Sequence, residues 1–354
     1  MKIAVDAMGG DHAPESVVQG ALLAAPQCSA DLALVGDETR IRELLGPEGE
    51  RHGIAVIHAP EVIGMEEAGA VAVRKKREAS LSIAMRMLAD WKVDAVVSAG
   101  NSSAIVAAAK HFAGLLPGLR RPALAVPIPT PDGEVFLIDG GAHAEADPIH
   151  LVQSAMMADV YLKVSEGLSE PRVGLLNIGE EAAKGTKTLQ KAFSLLKRSR
   201  VRFVGNVEPQ DIFADRTDAV ICDGFVGNIL LKFFEGVSEA HLRFFEHLID
   251  GCTFREGSDP WLSFRHFQER RRYQSTGGAP LLGVCDTVVV AHGRSNGSAV
   301  ANAVMLAWKL AENGVFRKMS EELQKDSSLA EVGNYYALWM LERWRNKWGF
   351  APKK

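Results

Sequence analysis

Short runs rich in β-branched residues alternate with longer stretches of helical periodicity along most of the chain. This alternation constrains the fold strongly, because a parallel strand must be followed by a long crossover that is usually a helix. It predicts an α/β protein with a mainly parallel sheet wrapped by helices. No internal repeat or low-complexity linker divides the sequence, so we expect residues 1–354 to form a single catalytic domain.

Ten segments have the length and composition of strands. They are Lys2–Val5, Leu32–Val35, Ile54–His58, Ala95–Ser98, Ala123–Ile128, Val135–Ile138, Val173–Asn177, Arg202–Val204, Ala219–Cys222 and Thr287–Ala291. The predicted helices include Glu15–Ala25, Ala79–Ala89, Ser103–Phe112, His150–Val164, Leu189–Lys197 and Ser298–Glu312. Between two apolar runs, Pro131-Asp132-Gly133 favours a tight turn, which predicts one antiparallel hairpin.

Composition argues against several classes of protein. A net charge of -4 gives no basis for nucleic-acid binding by the chain as a whole. The N-terminus has only a brief apolar run before Asp6, and Lys110 and Pro117 interrupt the most apolar later stretch, so neither a signal peptide nor a membrane-spanning helix is expected. Four cysteines without metal-binding spacing are predicted to be buried or idle thiols in a reducing cytoplasm. They are Cys28, Cys222, Cys252 and Cys285.

The loops that follow the predicted strands repeat one chemistry. Glycine lets backbone N–H groups approach an anion, while Asn, Ser and His side chains add neutral donors. Each loop alone is also an ordinary turn sequence, so it is the number of such loops at strand ends that indicates a functional cleft. Because ligands bind beyond the carboxyl ends of parallel strands, the loops are expected to form a cleft suited to phosphate. They are Asp6–Asp11, Gly36-Asp37, Ser98–Ser102, Asp139–His143, Asn177–Glu180, Gly205-Asn206, Asp223–Asn228 and His292–Gly297.

The sequence lacks the common nucleotide-binding signatures. No Gly-x-Gly-x-x-Gly motif follows the first predicted strand. The segment Gly179–Thr186 comes nearest to a phosphate loop, but its Lys184 precedes the second glycine instead of following it. This order argues against an ATPase and, more weakly, against a dehydrogenase.

Eight segments resemble, in order, those of the bacterial phosphate acyltransferases of phospholipid synthesis, the PlsX family. They are MKIAVDAMGGDHAP, VSAGNSSA, RPALAVPIPT, VGLLNIGEEAAKGT, FVGNVE, CDGFVGNILLKFFEG, GGAPLLGV and AHGRSNGSAVANAV. The resemblance extends from the first residue to about Glu312. It implies that the acyl group of acyl-acyl carrier protein is joined to inorganic phosphate, giving acyl phosphate and free carrier protein.

The same resemblance implies a three-layer α/β/α fold similar to that of isocitrate and isopropylmalate dehydrogenases and of phosphotransacetylase. It further implies a homodimer, no metal or nicotinamide cofactor, and a downstream acyl phosphate:glycerol-3-phosphate acyltransferase that uses the product for phosphatidic acid synthesis. Three segments depart from the usual family pattern. This chain has His143 in place of Asn, Ser102-Ser103 in place of Thr-Gly, and Glu78-Ala79-Ser80 in place of Asp-Ser-Ser.

Three residues are predicted to be catalytic. Phosphate is already a nucleophile, so the site must position it and stabilise the oxyanion formed from the thioester. Lys184 is predicted to contact phosphate or this oxyanion, and its alternative is a solvated lysine at a helix start. Asn228 is predicted to belong to the oxyanion hole, and its alternative is a helix N-cap. His292 would donate to phosphate or protonate the thiolate, unless it only bonds to nearby backbone.

A second set of residues is predicted to bind or orient the substrate. The aspartates would orient donors, with a loop-forming role as the alternative. Asn101 would bind phosphate through its amide, with helix capping as the alternative, and Arg74 is selected from a basic run that otherwise forms a solvated face. The set is Asp6, Gly9, Gly10, Asp11, Arg74, Asn101, Asp223, Gly224 and Ser295.

Aromatic residues and arginines are concentrated between Glu239 and Thr276, which predicts a helical arm that projects from the sheet. Such an arm would suit an acidic carrier protein or a membrane interface, and packing in a dimer interface is the alternative. We therefore expect a cytoplasmic protein that contacts the inner face of the cell membrane peripherally. Near-helical spacing of Trp339, Trp344 and Trp348 predicts a C-terminal helix that packs on the body.

Other functions remain open within this fold. An acyl-coenzyme A phosphate transferase would use a different thioester, and a decarboxylating dehydrogenase would need metal-binding aspartates on one helix, which the sequence does not contain. A non-catalytic acyl- or phosphate-sensing protein is the alternative from a different class. Phosphate-dependent release of thiol separates an enzyme from a sensor.

Overall fold

The computed structural model describes residues 1–131, 133–250 and 277–325. Within these residues the chain forms one eleven-stranded sheet, and all ten predicted strands are confirmed. The strands are β1 (Lys2–Asp6), β2 (Asp31–Gly36), β3 (Ala55–His58), β4 (Ala95–Ser98), β5 (Ala123–Thr130), β6 (Gly133–Ile138), β7 (Val173–Leu176), β8 (Phe203–Val207), β9 (Ala219–Ile221), β10 (Ala279–Leu282) and β11 (Thr287–Val290).

The sheet has the strand order β3-β2-β1-β4-β11-β10-β5-β6-β9-β7-β8. The strands from β3 to β11 are parallel to one another, and so are the strands from β6 to β8. Between these halves, the pairs β11/β10, β10/β5 and β5/β6 are all antiparallel. Three successive reversals make the two halves run in opposite directions, so their carboxyl ends lie at opposite edges of the sheet.

Ten α-helices occur in the described residues. They are α1 (Glu15–Ala24), α2 (Glu38–Arg51), α3 (Gly69–Lys75), α4 (Ser80–Ala89), α5 (Ser102–Ala108), α6 (Pro148–Ser165), α7 (Lys187–Leu196), α8 (Gly224–Asp250), α9 (Gly297–Glu312) and α10 (Val315–Gln324). Across the part of the chain that the structure covers, no helix has the length and apolar character needed to cross a bilayer.

Helices cover both faces of the first half of the sheet. The crossover through α1 moves from β1 to β2, while the crossover through α4 moves in the opposite direction, from β3 to β4. Because both crossovers are expected to be right-handed, α1 and α4 lie on opposite faces. Helix α9 packs against α1 and against β4 and β11, whereas α4 packs against β1, β2 and β4.

The sequence prediction missed one strand and several helices. Strand β10 was overlooked because its sequence, Ala-Pro-Leu-Leu, lacks the β-branched residues of the other strands. Helix α2 contains Gly46 with non-helical dihedrals followed by Pro47, which conceals its periodicity. Helix α8 is 27 residues long, so the first part of the predicted arm, residues 239–250, continues this helix. Residues 251–276 and the predicted C-terminal tryptophan helix lie outside the described residues.

The predicted hairpin is confirmed by the pairing of β5 with β6. Their register extends from Ala125 opposite Ile138 to Thr130 opposite Gly133. Asp132 of the connecting turn is outside the described residues. This hairpin is one of the three antiparallel junctions, so the turn residues contribute directly to the reversal of the sheet.

The core confirms the prediction for two cysteines. Cys222 and Cys285 are buried, Cys28 is half-buried, and Cys252 is outside the described residues. Burial, followed by the nearby charges of Asp139 and Asp223, raises the pKa of the Cys222 thiol well above its usual value. Cys222 belongs to a small core cluster beside β6, β8 and β9, against which Leu230 and Phe234 of α8 pack.

An ion pair joins the segments that lead into β7 and β9. The backbone N–H of Arg172 donates to Asp218 Oδ2 at 2.6 Å, and its guanidinium donates to both carboxylate oxygens. Arg172 also bonds to the backbone and side chain of Asp215. Partial burial raises the pKa of Asp218, but the hydrogen bonds and charge of Arg172 outweigh this effect, so the net pKa lies below its usual value.

We predict that Asp218→Asn lowers the free energy of unfolding by about 2 kcal/mol at neutral pH, since it weakens a charge-assisted set of hydrogen bonds. Because the folded-state pKa of Asp218 is lowered, its contribution is present above the unfolded-state pKa and is lost as pH falls through the folded-state pKa. Denaturant unfolding at several pH values would measure this. Asp215→Asn, at a more exposed carboxylate of the same cluster, should have a smaller effect; equal losses at every pH would contradict the prediction.

Candidate active site

The strand-end loops lie in two groups, not in the single cleft expected from the sequence. One of the eight predicted loops, Gly205-Asn206, is wrong, because both residues lie within β8 and pair with β7. Of the others, residues 6–11, 36–37, 98–102 and 292–297 lie at the ends of strands of the first half, whereas residues 139–143, 177–180 and 223–228 lie at the ends of strands of the second half. The difference arises because the central antiparallel strands reverse the sheet. Strand direction could not be read from β-branched runs, since such runs occur in strands of either direction.

Asp6 organises the first group. It is buried at the end of β1, where Ser80 donates to Oδ1 at 2.6 Å and Ser98 donates to Oδ2 at 2.7 Å. Burial raises the pKa of Asp6, although the hydrogen bonds from Ser80, Ser98 and the backbone of Met8 act in the opposite direction. Both oxygens are thus committed to holding neighbouring loops, which supports the predicted orienting role of Asp6.

Close packing explains why glycine follows β1. A Cβ atom at Gly9 would lie 2.6 Å from Asp6 Oδ2 and 2.8 Å from the backbone nitrogen of Gly100. Gly10 has a φ of 112°, which side-chain-bearing residues rarely adopt. The exposed Asp11 continues the loop, and its backbone N–H donates to the carbonyl of Gly293 at 2.8 Å. These contacts join the loops after β1, β4 and β11.

Asn101 fulfils its predicted capping alternative. Its Oδ1 accepts from the backbone N–H groups of Ser103 and Ala104, which makes it the N-cap of α5. Its Nδ2 donates to the carbonyls of Met65 and Glu67 at 2.9 and 2.8 Å. These contacts hold the segment before α3. Arg74 lies in the last turn of α3, and its side chain is exposed. They give the Asn101 side chain a structural role.

His292 and Ser295 lie in the loop after β11. The backbone N–H of Arg294 donates to His292 Nδ1 at 3.1 Å, so the backbone contact predicted as an alternative is present. This bond leaves the proton of a neutral ring on Nε2. Among the described residues Ser295 Oγ is buried without a hydrogen-bond partner, which is unusual for a buried hydroxyl and is consistent with a ligand contact.

A second buried carboxylate, Asp139, organises the other group of loops. Its Oδ1 accepts from the backbone N–H groups of Leu124, Gly141 and Ala142 at 2.8–3.0 Å, and its Oδ2 accepts from that of His143 at 3.0 Å. The predicted site set omitted this residue. Its position directly after a strand and before two glycines was the available signal.

The contacts at the start of α8 test the N-cap alternative for Asn228 and show why residue 224 is a glycine. Asp223 Oδ1 accepts from the backbone N–H of Val226 at 2.9 Å and therefore caps the helix, so the proposed N-cap role of Asn228 is wrong. Asn228 lies instead in the second turn, exposed, with its side chain beside Gly141. A Cβ at Gly224 would lie 2.4 Å from the carbonyl oxygen of His143, so only glycine fits there.

Lys184 belongs to a braced loop in the second group. Asn177 Nδ2 donates to the Lys184 carbonyl at 3.2 Å, and Asn206 Nδ2 donates to the Glu181 carbonyl at 2.9 Å. The Lys184 side chain is half-exposed, and its Nζ is 3.9 Å from Glu181 Oε2. Since Thr186 caps α7, Lys184 lies two residues before the cap of the helix with an exposed side chain, so both the predicted site role and the alternative of a solvated lysine stay predictions.

Helix α8 connects the two groups. Glu235 Oε2, three to four turns into the helix, lies 4.0 Å from His292 Nε2 in the first group. Asn228 is seven residues earlier, so helical periodicity places Asn228 and Glu235 on the same side of α8. The prediction missed Glu235 because nothing in a helical run of mixed residues distinguishes one glutamate.

The positions that depart from the family pattern have internal contacts in this chain. Ser103 Oγ donates to the N-cap oxygen of Asn101 at 2.7 Å. His143 Nδ1 lies 3.8 Å from Asp139 Oδ2. Both residues thus contact a side chain that organises a loop, which favours retention of the site geometry. Glu78 forms an ion pair with Arg86 at 3.0 Å, and the serine that ends this segment, Ser80, is the one that donates to Asp6.

The fold is shared with solved structures named phosphotransacetylase and phosphotransacylase. A phosphotransacetylase from Streptococcus pyogenes matches with a TM-score of 0.57 at 14% identity, over 88% of this chain and 94% of that one. A branched-chain phosphotransacylase from Enterococcus faecalis V583 matches with a TM-score of 0.56 at 16% identity, over 87% and 99% of the two chains. At these identities the likeness concerns the fold alone, and it confirms the three-layer α/β/α prediction.

Sequence comparison assigns the family. Residues 1–318 match the family described as fatty acid synthesis protein, and the chain belongs to that family. A protein of Syntrophobacter fumaroxidans named phosphate acyltransferase is 57% identical over the full length of both chains. One of Desulforamulus reducens with the same name is 39% identical, over 94% of this chain and all of that one. The resemblance drawn from the sequence segments is confirmed, and the chain is an acyltransferase.

We predict that Asp139→Asn sharply lowers activity and lowers the free energy of unfolding by about 3 kcal/mol, since an amide replaces a carboxylate that accepts from four backbone N–H groups. Thermal unfolding and steady-state turnover would measure the two effects. Asp94→Asn is the matched control, because Asp94 accepts from one exposed backbone N–H, that of Lys2. Wild-type stability of Asp139→Asn would contradict this role.

Proposed function

We propose that this acyltransferase moves a fatty acyl group from acyl-acyl carrier protein to inorganic phosphate, giving acyl phosphate for phosphatidic acid and phospholipid synthesis. The observation that carries the proposal is the match, along the whole chain, to a relative named phosphate acyltransferase. The loops supply glycine backbone, amide and hydroxyl groups near strand ends, together with one half-exposed lysine. Such groups bind an anion without removing its nucleophilicity.

The reaction requires positioning and electrostatic stabilisation more than covalent catalysis. A phosphate oxygen attacks the thioester carbonyl carbon, and the carbonyl oxygen takes up negative charge. When this intermediate collapses, the C–S bond breaks and the sulfur leaves with the bonding electrons as a thiolate. Thiols have a pKa near 8.5, so the thiolate is a good leaving group and needs only one proton afterwards. The protein must therefore hold the reactants together and stabilise the oxyanion.

Asn228 and Lys184 are the proposed partners of the charged oxygens. Both side chains are exposed and lie in the second half of the sheet, Asn228 in the second turn of α8 and Lys184 in the loop before α7. The neutral Asn228 amide can donate to the oxyanion without attracting the proton of phosphate. Lys184 supplies a positive charge that Glu181, 3.9 Å away, only partly offsets. Asp223 and Gly224 support this site by fixing the first turn of α8.

His292 is the proposed proton donor to the thiolate. Its Nδ1 accepts from backbone, so a neutral ring presents its proton on Nε2. The loop that carries His292 also contains Ser295 and contacts Asp11, and we propose that it binds phosphate together with the backbone of Gly9 and Gly10. Asp6 would orient the loops around phosphate through its hydrogen bonds with Ser80 and Ser98. Arg74 and Asn101 are proposed only to support the edge of the site.

The acyl donor is an acidic carrier protein, so it requires a basic docking surface. The arm of residues 239–276 has the arginines for this role and the aromatic residues for a membrane interface. We propose that the protein is cytoplasmic and reaches the inner face of the membrane through this arm, where a downstream acyl phosphate:glycerol-3-phosphate acyltransferase would receive the product. The homodimer implied by the family resemblance stays a prediction.

We predict that Lys184→Ala and Asn228→Ala each lower phosphate-dependent turnover by about 100-fold, as expected for the loss of a group that stabilises the oxyanion. Release of free carrier-protein thiol from an acyl-acyl carrier protein would be followed with and without phosphate. Acyl-coenzyme A would be tested in parallel, and faster turnover of that thioester would favour the alternative donor.

Two exposed residues provide matched controls for this experiment. Lys187 is the first residue of α7, and Asn313 follows α9. Alanine at either position should leave turnover within about twofold of wild type. Thermal unfolding would confirm that all four variants fold. Near-wild-type turnover in both Lys184→Ala and Asn228→Ala would reject their roles, and release of thiol without any need for phosphate would reject the proposed reaction.

A separate prediction concerns the arm. Changing Trp261, Leu262 and Phe264 to serine should abolish flotation with anionic liposomes, since these residues supply apolar area for the interface. Turnover of a soluble acyl-acyl carrier protein should change little. Unaltered flotation of the triple variant would exclude this part of the arm as a membrane anchor.

A further inference from the structure

Helix α8 borders an apolar cavity of about 510 Å³. This volume lies within the range of small-molecule sites in proteins, about 300–1,000 Å³. Its apolar walls come from α8 and from the segments beside β5 and β8. They include Ile128, Ile212, Phe213, Leu230, Phe234 and Val237.

The cavity has a defined inner wall and a polar end. Leu230, Phe234 and Val237 follow one another at intervals of four and three residues, so they form a single stripe along α8. Phe213 stacks on Phe234 with ring centroids 5.8 Å apart. Ser238 and His241, the polar lining residues of α8, come last along the helix. The apolar part of the cavity therefore lies nearest to the start of α8.

Apolar surface also connects the cavity with Asn228. Two positions of α8, Ile229 and Phe233, lie between the side of the helix that carries Asn228 and the stripe that lines the cavity. Their side chains are 55% and 67% exposed. Phe233 itself reaches the cavity wall. A flexible chain that starts at Asn228 can thus follow an apolar path around the helix into the cavity.

We propose that this cavity binds the fatty acyl chain of the thioester substrate. The inference rests on the proposed function, which places the reacting carbonyl beside Asn228 and leaves an alkyl chain that must be shielded from water. An unbranched chain needs an apolar site of moderate volume, and the cavity walls are largely apolar, with Gln210, Ser238 and His241 as the polar residues of the lining. The polar residues at its far end would set an upper limit on chain length.

Burial of each further methylene should raise kcat/KM about fourfold until the chain reaches the polar end. Substitutions at two places along the cavity test whether it holds the acyl chain. Leu230→Trp would obstruct the part nearest Asn228, and Val237→Trp would obstruct a part seven residues, or about 10 Å, farther along the helix. We expect Leu230→Trp to remove the preference for chains longer than hexanoyl. Val237→Trp should retain that preference for intermediate chains and lose it only for the longest.

The experiment measures kcat/KM for carrier-protein thioesters from hexanoyl to octadecanoyl. Leu44→Trp is the matched control, since Leu44 is exposed on α2 and does not line the cavity. Its chain-length profile should match that of wild type. Thermal unfolding would verify the folded state of each variant. If Leu230→Trp does not fold, Phe213→Ala, at the more exposed rim, should lower kcat/KM for hexadecanoyl about tenfold and leave hexanoyl unchanged.

Binding provides a readout that does not depend on turnover. Calorimetric titration with dodecanoate should show that Leu230→Trp weakens binding about tenfold or more, whereas Leu44→Trp leaves it unchanged. Identical chain-length profiles and identical dodecanoate affinities in wild type and Leu230→Trp would overturn the acyl-chain site. So would a change in oligomeric state without a change in selectivity, since a second copy would then occupy this face. A wild-type protein that binds dodecanoate but releases no thiol with phosphate would reject the proposed reaction and not the site.

Discussion

The reversal of strand direction at the centre of the sheet determines where every functional group can lie. Because of the three antiparallel pairs formed by β11, β10, β5 and β6, the parallel strands of one half run in the opposite direction to those of the other half. Loops that look equivalent in the sequence are consequently divided between two edges. A site that uses both sets of loops needs an element that extends from one edge toward the other. Helix α8 is such an element, because it starts in the second group and reaches His292 of the first through Glu235.

Both groups of loops are built by the same physical device. A buried aspartate directly after a strand accepts hydrogen bonds from its neighbours: Asp6 from two serine hydroxyls, and Asp139 from four backbone N–H groups. An uncompensated carboxylate would be costly to bury, so these bonds are what permits each aspartate to occupy its place. In return the aspartates fix loop backbones that could not be fixed by apolar packing, since the loops consist largely of glycine and small polar residues. Exposed side chains such as those of Asn228 and Lys184 are then not needed to hold the loops in place.

The sequence was sufficient to predict the α/β class and ten strands because β-branched runs between helical stretches have few other interpretations. It could not reveal β10, whose residues lack that signature, or the kinked α2, or the direction of either half of the sheet. The prediction of loops at strand ends was correct except for Gly205-Asn206, which belongs to β8. Whether each loop residue binds a ligand or holds the structure could be decided only from contacts. Asn101 caps a helix, Asp223 takes the capping role that had been the alternative for Asn228, and Asp139 was omitted although it has more backbone partners than any predicted aspartate. Hydrogen bonds between residues far apart in sequence cannot be read from local patterns.

The distribution of charge in the two groups suits a reaction whose nucleophile is itself an anion. A dense cluster of cations would hold phosphate firmly but would also reduce its reactivity toward the carbonyl. The described loops instead combine neutral donors with separate cationic or titratable groups, two of which have a nearby carboxylate: Lys184 with Glu181 at 3.9 Å, and His292 with Glu235 at 4.0 Å. At such distances near the surface a carboxylate moderates the positive charge without neutralising it, because solvent screens the pair. Phosphate would therefore be held mainly by directed hydrogen bonds, and the positive charge would act most strongly where new negative charge develops, on the carbonyl oxygen in the transition state.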